Sequence, residues 1–321
     1  MLRAFVLCAV VSLVACTSTP ERQTVPASSA APTPSPSMVP AAPSIDTWRT
    51  LPSGTERDLQ HVGIGGDGFV LMGDGGALLR SIDGRSVVPV VSGVESQLGG
   101  YAYRAHVHLA FMGETLLTSS DGAEWHVVPG SPLLVAVVAR ATGFLGIGRG
   151  TIETSADGRT WSHVAYDIHA DSLATDGNTF VATGVTPGAE PADRVVEALW
   201  SIDGTTWEHA AIDTSMSPVA TVFGMRYFWI LGRGRELASS SDGRIWSFST
   251  IPGSGATNAI AVLASGIVVV GDGGSIITSP DGVAWTPRES GTSQRLTSVA
   301  CGVDACMAVG AHGAIVTSAA L

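Results

Sequence analysis

The pattern Ser-x-Asp-Gly occurs six times between residues 81 and 282 of this 321-residue chain. Its aspartates lie 38, 36, 46, 39 and 39 residues apart, and five copies carry Trp four residues after the Asp, whereas the first carries Val87. The residues concerned are Asp83, Asp121, Asp157, Asp203, Asp242, Asp281, Trp125, Trp161, Trp207, Trp246 and Trp285. Because a fixed period of this length is typical of repeat architectures, we expect copies of one small structural unit.

Each repeat contains four short β-rich runs separated by turn residues, as Thr257 to Arg288 illustrates. Asp-Gly between apolar runs predicts a hairpin, since Gly tolerates positive φ and Asp bonds to turn amides. Four antiparallel strands in about 39 residues are typical of one propeller blade.

The two ends of the repeat region complement one another. Residues 310–318 match residues 271–279 at an offset of 39, and the chain stops before a fourth strand. Trp48 to Gly54 repeats the spacing of Trp285 to Gly291, so it resembles an isolated fourth strand. The sequence therefore predicts an all-β fold over 44–321: a seven-bladed β-propeller of four-stranded antiparallel blades, closed by pairing an N-terminal strand with the last three strands.

The repeated residues resemble a known family. Ser-x-Asp-Gly-x-x-Trp is similar to the Asp-box, or BNR, motif of sialidase-like propellers, although this sequence has one residue fewer between Asp and Trp. Residues 73–84 also resemble the photosystem II stability/assembly-factor type of seven-bladed propeller. The resemblance spans 46–321 and implies a fold rather than a function. We expect the Asp-box residues to be structural, with each Trp covering the seam toward the next blade.

The N-terminus has the features of a targeting signal. A basic start is followed by an apolar run over 4–15, too short to span a bilayer as a helix, so 1–15 is predicted to be a signal peptide. Leu13-Val14-Ala15-Cys16 resembles a bacterial lipobox, which implies lipidation of Cys16. An ordinary signal peptide with an incidental Cys is the alternative.

Residues 16–43 are predicted to form a tether after the lipidated Cys. Seven of the 27 residues from Thr17 to Pro43 are Pro, and most others are Ser, Thr or Ala, a composition that cannot form a packed core. We expect a protein anchored by lipid in the cell envelope outside the cytoplasm; if the cell is Gram-negative, this location is the outer membrane or periplasm.

Composition excludes two classes of protein for most of the chain. With 45% hydrophobic and 14% charged residues, the chain is not of the disordered class. The net charge of −11, with no lysine and 17 arginines, argues against coating a nucleic-acid backbone.

Blade geometry predicts two faces. Loops between strands 1–2 and 3–4 share one face with the Asp-boxes, and loops between strands 2–3 and between blades share the other, which holds the active site in sialidase-like propellers. A long insertion over 184–198 also falls on that second face; neutral drift in a tolerant loop is the alternative. The candidate binding residues are Asp74, Glu114, Arg149, Glu190, Asp193, Arg194, Glu197, Arg233, Arg235, Glu236, Asp272 and His312.

Three other residue patterns concern metal binding, phosphate binding and disulfide formation. His106-Val107-His108 would place two imidazoles on one strand face, but nothing nearby completes a metal site, so no metal is predicted. The glycine-rich segments 73–76 and 271–274 lack the Lys and helix of a phosphate loop. Cys301 and Cys306 flank a predicted turn and are expected to form a disulfide in an oxidising compartment; a redox-active or metal-binding pair is the alternative.

These features favour a non-enzymatic binding or scaffold propeller that interacts with an envelope protein or a glycan and needs no cofactor. The resemblance to assembly factors suggests a role in assembling an envelope complex. The alternative is a sialidase-like glycoside hydrolase acting on an extracellular glycan. Sialidases are recognised by Phe-Arg-Ile-Pro and a Tyr–Glu pair, but Arg-Ile-Pro is absent and only four Tyr occur. The local carboxylate cluster is Glu190, Asp193 and Glu197.

Overall fold

The computed structural model describes residues 44–66, 68–148, 150–165, 169–185, 196–210, 212 and 216–320. The signal peptide over 1–15, the lipidated Cys16 and linker over 16–43, and the candidate residues Arg149, Glu190, Asp193 and Arg194 lie outside these residues. None of the helical segments in the described ranges has the length and apolar character needed to cross a bilayer.

The described residues form 28 β-strands and single-turn 3₁₀ segments at Asp74–Gly76, Asp272–Gly274 and Ala311–Gly313. The first fourteen strands are β1 (Arg49–Leu51), β2 (Leu59–Gly65), β3 (Gly68–Gly73), β4 (Leu78–Ser81), β5 (Val88–Pro89), β6 (Gly100–Arg104), β7 (Val107–Met112), β8 (Thr115–Ser119), β9 (His126–Val127), β10 (Ala136–Arg140), β11 (Gly143–Ile147), β12 (Thr151–Ser155), β13 (Trp161–Ala165) and β14 (Ser172–Thr175). The others are β15 (Phe180–Val185), β16 (Val196–Ser201), β17 (Glu208–Ala210), β18 (Pro218–Gly224), β19 (Tyr227–Gly232), β20 (Glu236–Ser240), β21 (Ser247–Thr250), β22 (Thr257–Leu263), β23 (Gly266–Gly271), β24 (Ile276–Ser279), β25 (Thr286–Arg288), β26 (Leu296–Cys301), β27 (Cys306–Gly310) and β28 (Ile315–Thr317).

These strands form seven four-stranded antiparallel sheets. Blades 1 to 6 are β2–β5, β6–β9, β10–β13, β14–β17, β18–β21 and β22–β25, each in sequential order. Blade 7 combines β26, β27 and β28 with β1, which pairs Thr50 with Val316 across the closure. The predicted seven-bladed propeller and its mode of closure are therefore confirmed.

The hydrophobic core is divided among the seams between neighbouring blades. Seven buried clusters each combine side chains of two successive blades. At the closure, Met307 and Val309 of blade 7 pack with Leu59 and Phe69 of blade 1. The alternation of side chains along each strand supplies both seams of its blade, which explains why the second strand of each blade is largely apolar on both faces.

The Asp-box tryptophans cover the seam with the preceding blade, so the expectation that they face the next blade was wrong. Trp207 of blade 4 packs with Leu145 of blade 3, for example. The reason lies in the turn: a Cβ placed on Gly204 would lie 2.5 Å from the Leu145 side chain, so the Asp-box glycine already abuts the preceding blade.

The ring has two faces. On the Asp-box face, Gly84 lies beside Ala305 in the strand 1–2 turn of blade 7. On the opposite face, here called the strand 2–3 face, Gly76 of a strand 2–3 turn lies against the backbone of Val94 in a connector between blades.

Cys301 and Cys306 are joined by a disulfide across the strand 1–2 turn of blade 7, with Cα atoms 3.9 Å apart.

Candidate binding face

The Asp-box side chains are bonded within their own turns. In blade 3, the amide of Gly158 donates to Ser155 Oγ at 2.8 Å, and the amides of Arg159 and Thr160 donate to Asp157 Oδ1 at 2.8 Å each. The indole of Trp161 donates to the Gly158 carbonyl at 3.3 Å. The same bonds to the Ser and Asp recur in blades 2, 4, 5 and 6.

These bonds stabilise the charged form of the aspartates. Backbone amides, chiefly that of Glu124, lower the pKa of Asp121 to about 2. Amide donation likewise lowers the pKa of Asp157, Asp203, Asp242 and Asp281. A carboxylate held ionised by its own turn is suited to stabilising that turn and poorly suited to proton transfer near neutral pH.

On the strand 2–3 face, hydrogen bonds link blades 6, 7 and 1. Asp272 Oδ1 accepts from the side-chain amide of Asn258 at 2.9 Å and faces Arg295 Nε at 3.4 Å. Asp74 Oδ1 accepts from Gln60 Nε2 at 3.1 Å. These two candidate carboxylates therefore hold the beginnings of the inner strands in place.

His312 and Asp58 continue this arrangement between blades 7 and 1. The backbone amide of His312 donates to Asp58 Oδ1 at 2.8 Å, while the imidazole is exposed. His312 has a left-handed backbone with φ 52, the conformation of glycine at the equivalent position Gly273. The polar backbone of this turn is thus satisfied, and its side chain is directed to solvent.

Arg235 is buried at 7% exposure and anchors the connector between blades 5 and 6. Its guanidinium donates to the carbonyls of Ile251 and Ser254 at 3.0 Å and also to that of Pro252. The neighbouring Glu236 has its carboxylate against Gly232 and Gly234, with Oε2 buried and unpartnered among the described residues. Arg235 is consequently a structural residue within the candidate set.

The remaining described candidates lie on separate blades. Glu114 of blade 2 and Arg233 of blade 5 are exposed. Glu197 lies in β16, where it pairs with Gly184 of β15, rather than in the inserted loop. The structure therefore spreads the candidates around the face and brings none of the described ones into a compact carboxylate pair.

A central cavity of about 350 Å³ is lined by residues from the inner strands of the blades. His61, Tyr101 and Ser298 contribute polar groups, and Asn258 and Asp171 lie where inner strands begin. Because strand 1 of each blade begins on the strand 2–3 face, this end of the channel opens there. The exposed candidates Glu114, Arg233 and His312 share this face with the end of the cavity, although none of them lines it.

Burial controls the titration of the channel residues. Burial lowers the pKa of His61 to about 4, and the Ser298 hydroxyl lies 3.5 Å from its Nδ1. Burial, with a smaller effect of Tyr103, raises the pKa of Tyr101 above its usual value. Near neutral pH the channel presents neutral imidazole and phenol groups.

Sequence reasoning missed these channel residues because they sit within apolar runs. Comparison of the repeats could have found them. His61, Ala259 and Ser298 occupy equivalent positions in β2, β22 and β26, and this position is polar in some blades and apolar in others. The prediction that His106 and His108 place their imidazoles on one strand face was also wrong. His106 lies in a turn with φ 67, whereas His108 is buried in β7. No group of potential metal ligands occurs among the described residues.

Comparison with known proteins gives likeness at the level of the fold. No family model and no curated protein matches the chain. The structure resembles YCF48 bound to D1 peptide, with TM-score 0.69, 18% identity and coverage of 88% of this chain and 99% of that chain. YCF48 from Cyanidioschyzon merolae gives TM-score 0.66, 18% identity and coverage of 84% and 98%. A catalytically inactive virginiamycin B lyase from Staphylococcus aureus, solved with quinupristin, gives TM-score 0.63 and 8% identity, with coverage of 84% of this chain and 98% of that chain.

Proposed function

We propose that this protein is a lipid-anchored scaffold outside the cytoplasm that binds a polypeptide partner through its strand 2–3 face and takes part in assembling an envelope complex. The observation that carries the proposal is the contrast between the two faces. Asp-box carboxylates are bonded within their turns, whereas Glu114, Arg233 and His312 on the strand 2–3 face are exposed.

Exposed charges of both signs on one face suit a polypeptide partner, since such charges contribute chiefly to partner selection and association rate. A propeller of similar architecture has been solved as YCF48 bound to D1 peptide, which supports a peptide-binding role for this fold. The partner of this chain is proposed only as a polypeptide, because fold likeness does not transfer a ligand.

The described carboxylates favour this role over glycoside hydrolysis. Hydrolases of that class place two carboxyl groups roughly 5–10 Å apart across the bond that is broken. Here Asp272 is engaged by Asn258 and Arg295, and Asp74 is engaged by Gln60. Carboxylates that are already hydrogen-bonded, and that lie on different blades, are suited to positioning strands and poorly suited to transferring protons to one substrate.

Partner binding is tested by reversing charges on opposite faces. The double variant Arg233→Glu/Glu114→Arg changes the strand 2–3 face, and Arg226→Glu/Glu124→Arg makes the matched change on the Asp-box face; all four residues are exposed. After chemical cross-linking in the envelope, we expect the first variant to lose at least tenfold of the wild-type partner and the second to retain it. Equal retention by both variants would contradict the assignment of the face.

The lipid anchor is tested separately. Wild-type protein should incorporate labelled palmitate and sediment with membranes, because two or more acyl chains give stable anchoring. Cys16→Ser should abolish both properties. Incorporation of label by the Ser variant, or membrane sedimentation without label in the wild type, would refute the anchor while leaving the partner-binding proposal intact.

A further inference from the structure

An aromatic groove lies on the Asp-box face, at the seam between blades 5 and 6. Its volume is about 470 Å³. Tyr227 and Phe248 are 45% and 46% exposed, and Trp229 forms the buried side of the groove. Trp285 and the exposed Val283, both from the Asp-box turn of blade 6, complete the opposite wall.

The repeat shows that the propeller fold does not require these aromatic residues. At the position of Phe248 the other blades carry Pro89, Val127, His163, His209, Pro287 and Thr50. At the position of Trp229, blades 1 to 4 and 6 carry Val70, Leu109, Leu145, Val181 and Val268. Three aromatic side chains are thus concentrated in blade 5, at one seam.

Two of the three are exposed, which a purely structural role does not explain. Tyr227 begins β19 at the position where β3, β11 and β23 begin with glycine. Its ring lies 5.9 Å from that of Trp229, tilted by 58°. The exposed Tyr227 ring and the buried Trp229 ring thus form an angled apolar surface that the apolar rings of a ligand can contact.

The groove contains one charged side chain, the exposed carboxylate of Asp281, of which one oxygen is bonded within its turn. Asp281 Oδ1 accepts from the amides of Val283 and Ala284 at 2.8 and 2.9 Å, and from the Ser279 hydroxyl. Tyr227 and Ser247 supply hydroxyl donors at the groove. These hydroxyl donors suit a ligand that presents carbonyl acceptors.

Trp285, in the wall of the groove, departs from most other Asp-box tryptophans in its hydrogen bonding. In blades 2, 3 and 4 the Asp-box indole donates to the carbonyl of the preceding glycine, as Trp125 does to Gly122 at 3.1 Å. Within the described ranges, Trp285 makes no such bond to Gly282. The indole N–H of Trp285 is therefore not engaged by the Gly282 carbonyl.

We propose that the aromatic groove binds a proline-rich segment of a partner polypeptide in the polyproline II conformation. Proline lacks an N–H, so such a segment presents carbonyl acceptors and apolar rings, and it is held in aromatic grooves by stacking together with side-chain donors. The three neighbouring aromatic side chains suit the proline rings of such a segment, and a glycan is the competing occupant that the experiment compares.

Decaproline is the probe for this site, used with the purified mature chain in isothermal titration calorimetry. We expect saturable binding to the wild type that weakens at least tenfold in Tyr227→Thr/Phe248→Val. These replacements are residues that other blades carry at the same positions, Thr179 and Val127. Val127→Ser serves as the matched control, because Val127 is 51% exposed at the position of Phe248 in blade 2, and it should bind decaproline as the wild type does.

Thermal melting confirms that the variants are folded before they are compared. Absence of saturable decaproline binding, or binding unchanged by the double variant, would overturn the proposal. Groove-dependent binding of chitohexaose in place of decaproline would assign the site to glycans, and groove-dependent self-association would assign it to a second copy of the chain; either result overturns it. The strand 2–3 face lies opposite the groove, so failure here leaves the proposed function standing.

Discussion

Each recurring Asp of the Asp-box face serves its own turn. The carboxylate accepts amide hydrogens two and three residues later, as Asp203 does from Thr205 and Thr206 at 2.7 Å. This geometry resembles that of a capping residue, which satisfies amides that the following strand leaves unpaired. The residues that define the repeat are thereby separated from those available to a partner.

Arg235 shows how one blade departs from the repeat. Glycine occupies the equivalent left-handed position at Gly76, Gly274 and Gly313, with φ 70, 73 and 68, and Arg235 adopts φ 76. An L-residue is strained in this conformation. The bonds of its guanidinium to the 251–255 connector offset that strain.

Stability should depend on pH through the Asp-box carboxylates. Amide bonds lower the folded-state pKa of Asp203, so its stabilising effect is present above its ordinary pKa near 4 and is lost as pH falls through that value and below it. Asp203→Ala should cost about 1 kcal/mol at pH 7, the size of a lost cap, and less at pH 2.5, which lies partway through that loss. Urea unfolding at both pH values measures this difference.

Asp203→Asn is the matched control for that prediction. Its amide oxygen can still accept from Thr205 and Thr206, so it should lose less stability at pH 7 than the Ala variant does. An Ala variant that is equally destabilised at pH 7 and pH 2.5 would contradict an ionised carboxylate as the source of the effect.

At the scale of the strand, β12 carries an acidic residue in a buried position. Glu153 is 5% exposed and accepts from His163 Nδ1 of β13 at 2.7 Å, with His163 56% exposed. The equivalent positions in blades 1, 2 and 4 are Leu79, Leu117 and Leu199. A buried carboxylate in an apolar series needs compensation from its partners, and His163 is the side chain that the described residues give it.

Removing either partner should therefore have opposite effects. His163→Ala should destabilise the protein by about 2 kcal/mol, because it leaves the Glu153 carboxylate buried without this donor. Glu153→Leu should be neutral or stabilising, since it restores the residue of the other blades. Chemical denaturation of both variants and of the double variant measures the effect; a Glu153→Leu variant destabilised as much as His163→Ala would refute the interpretation.

The repeat predicted the strands because period, turn residues and alternation agree in each blade. Sequence could not indicate that Arg235 would take a glycine position or that Glu153 would be buried, because both depend on partners distant in the chain or across a strand pair. The wrong seam for the Asp-box tryptophans has the same origin, since the side on which Gly204 meets Leu145 is set by how blades pack. For Asp74 and Asp272, the sequence could predict that they lie in strand 2–3 turns. It could not predict that their carboxylates accept hydrogen bonds from Gln60 and Asn258.

For the whole molecule, closure by β1 determines which face each side chain occupies. β1 pairs with β28, so β28 lies between two strands as the third strand of every other blade does. The closing strand thereby removes an exposed edge and joins the two ends of the repeat region into one ring. Both proposed binding surfaces depend on this arrangement.

Native-state hydrogen exchange at β28 tests the closure most directly. If β1 seals the ring, the amides of Ile315–Thr317 should exchange as slowly as those of Ile276–Ser279 in the equivalent strand β24, near the rate set by global unfolding. Exchange at β28 faster than at β24 by a hundredfold or more would show that its outer edge is open, and would contradict the closed seven-bladed ring.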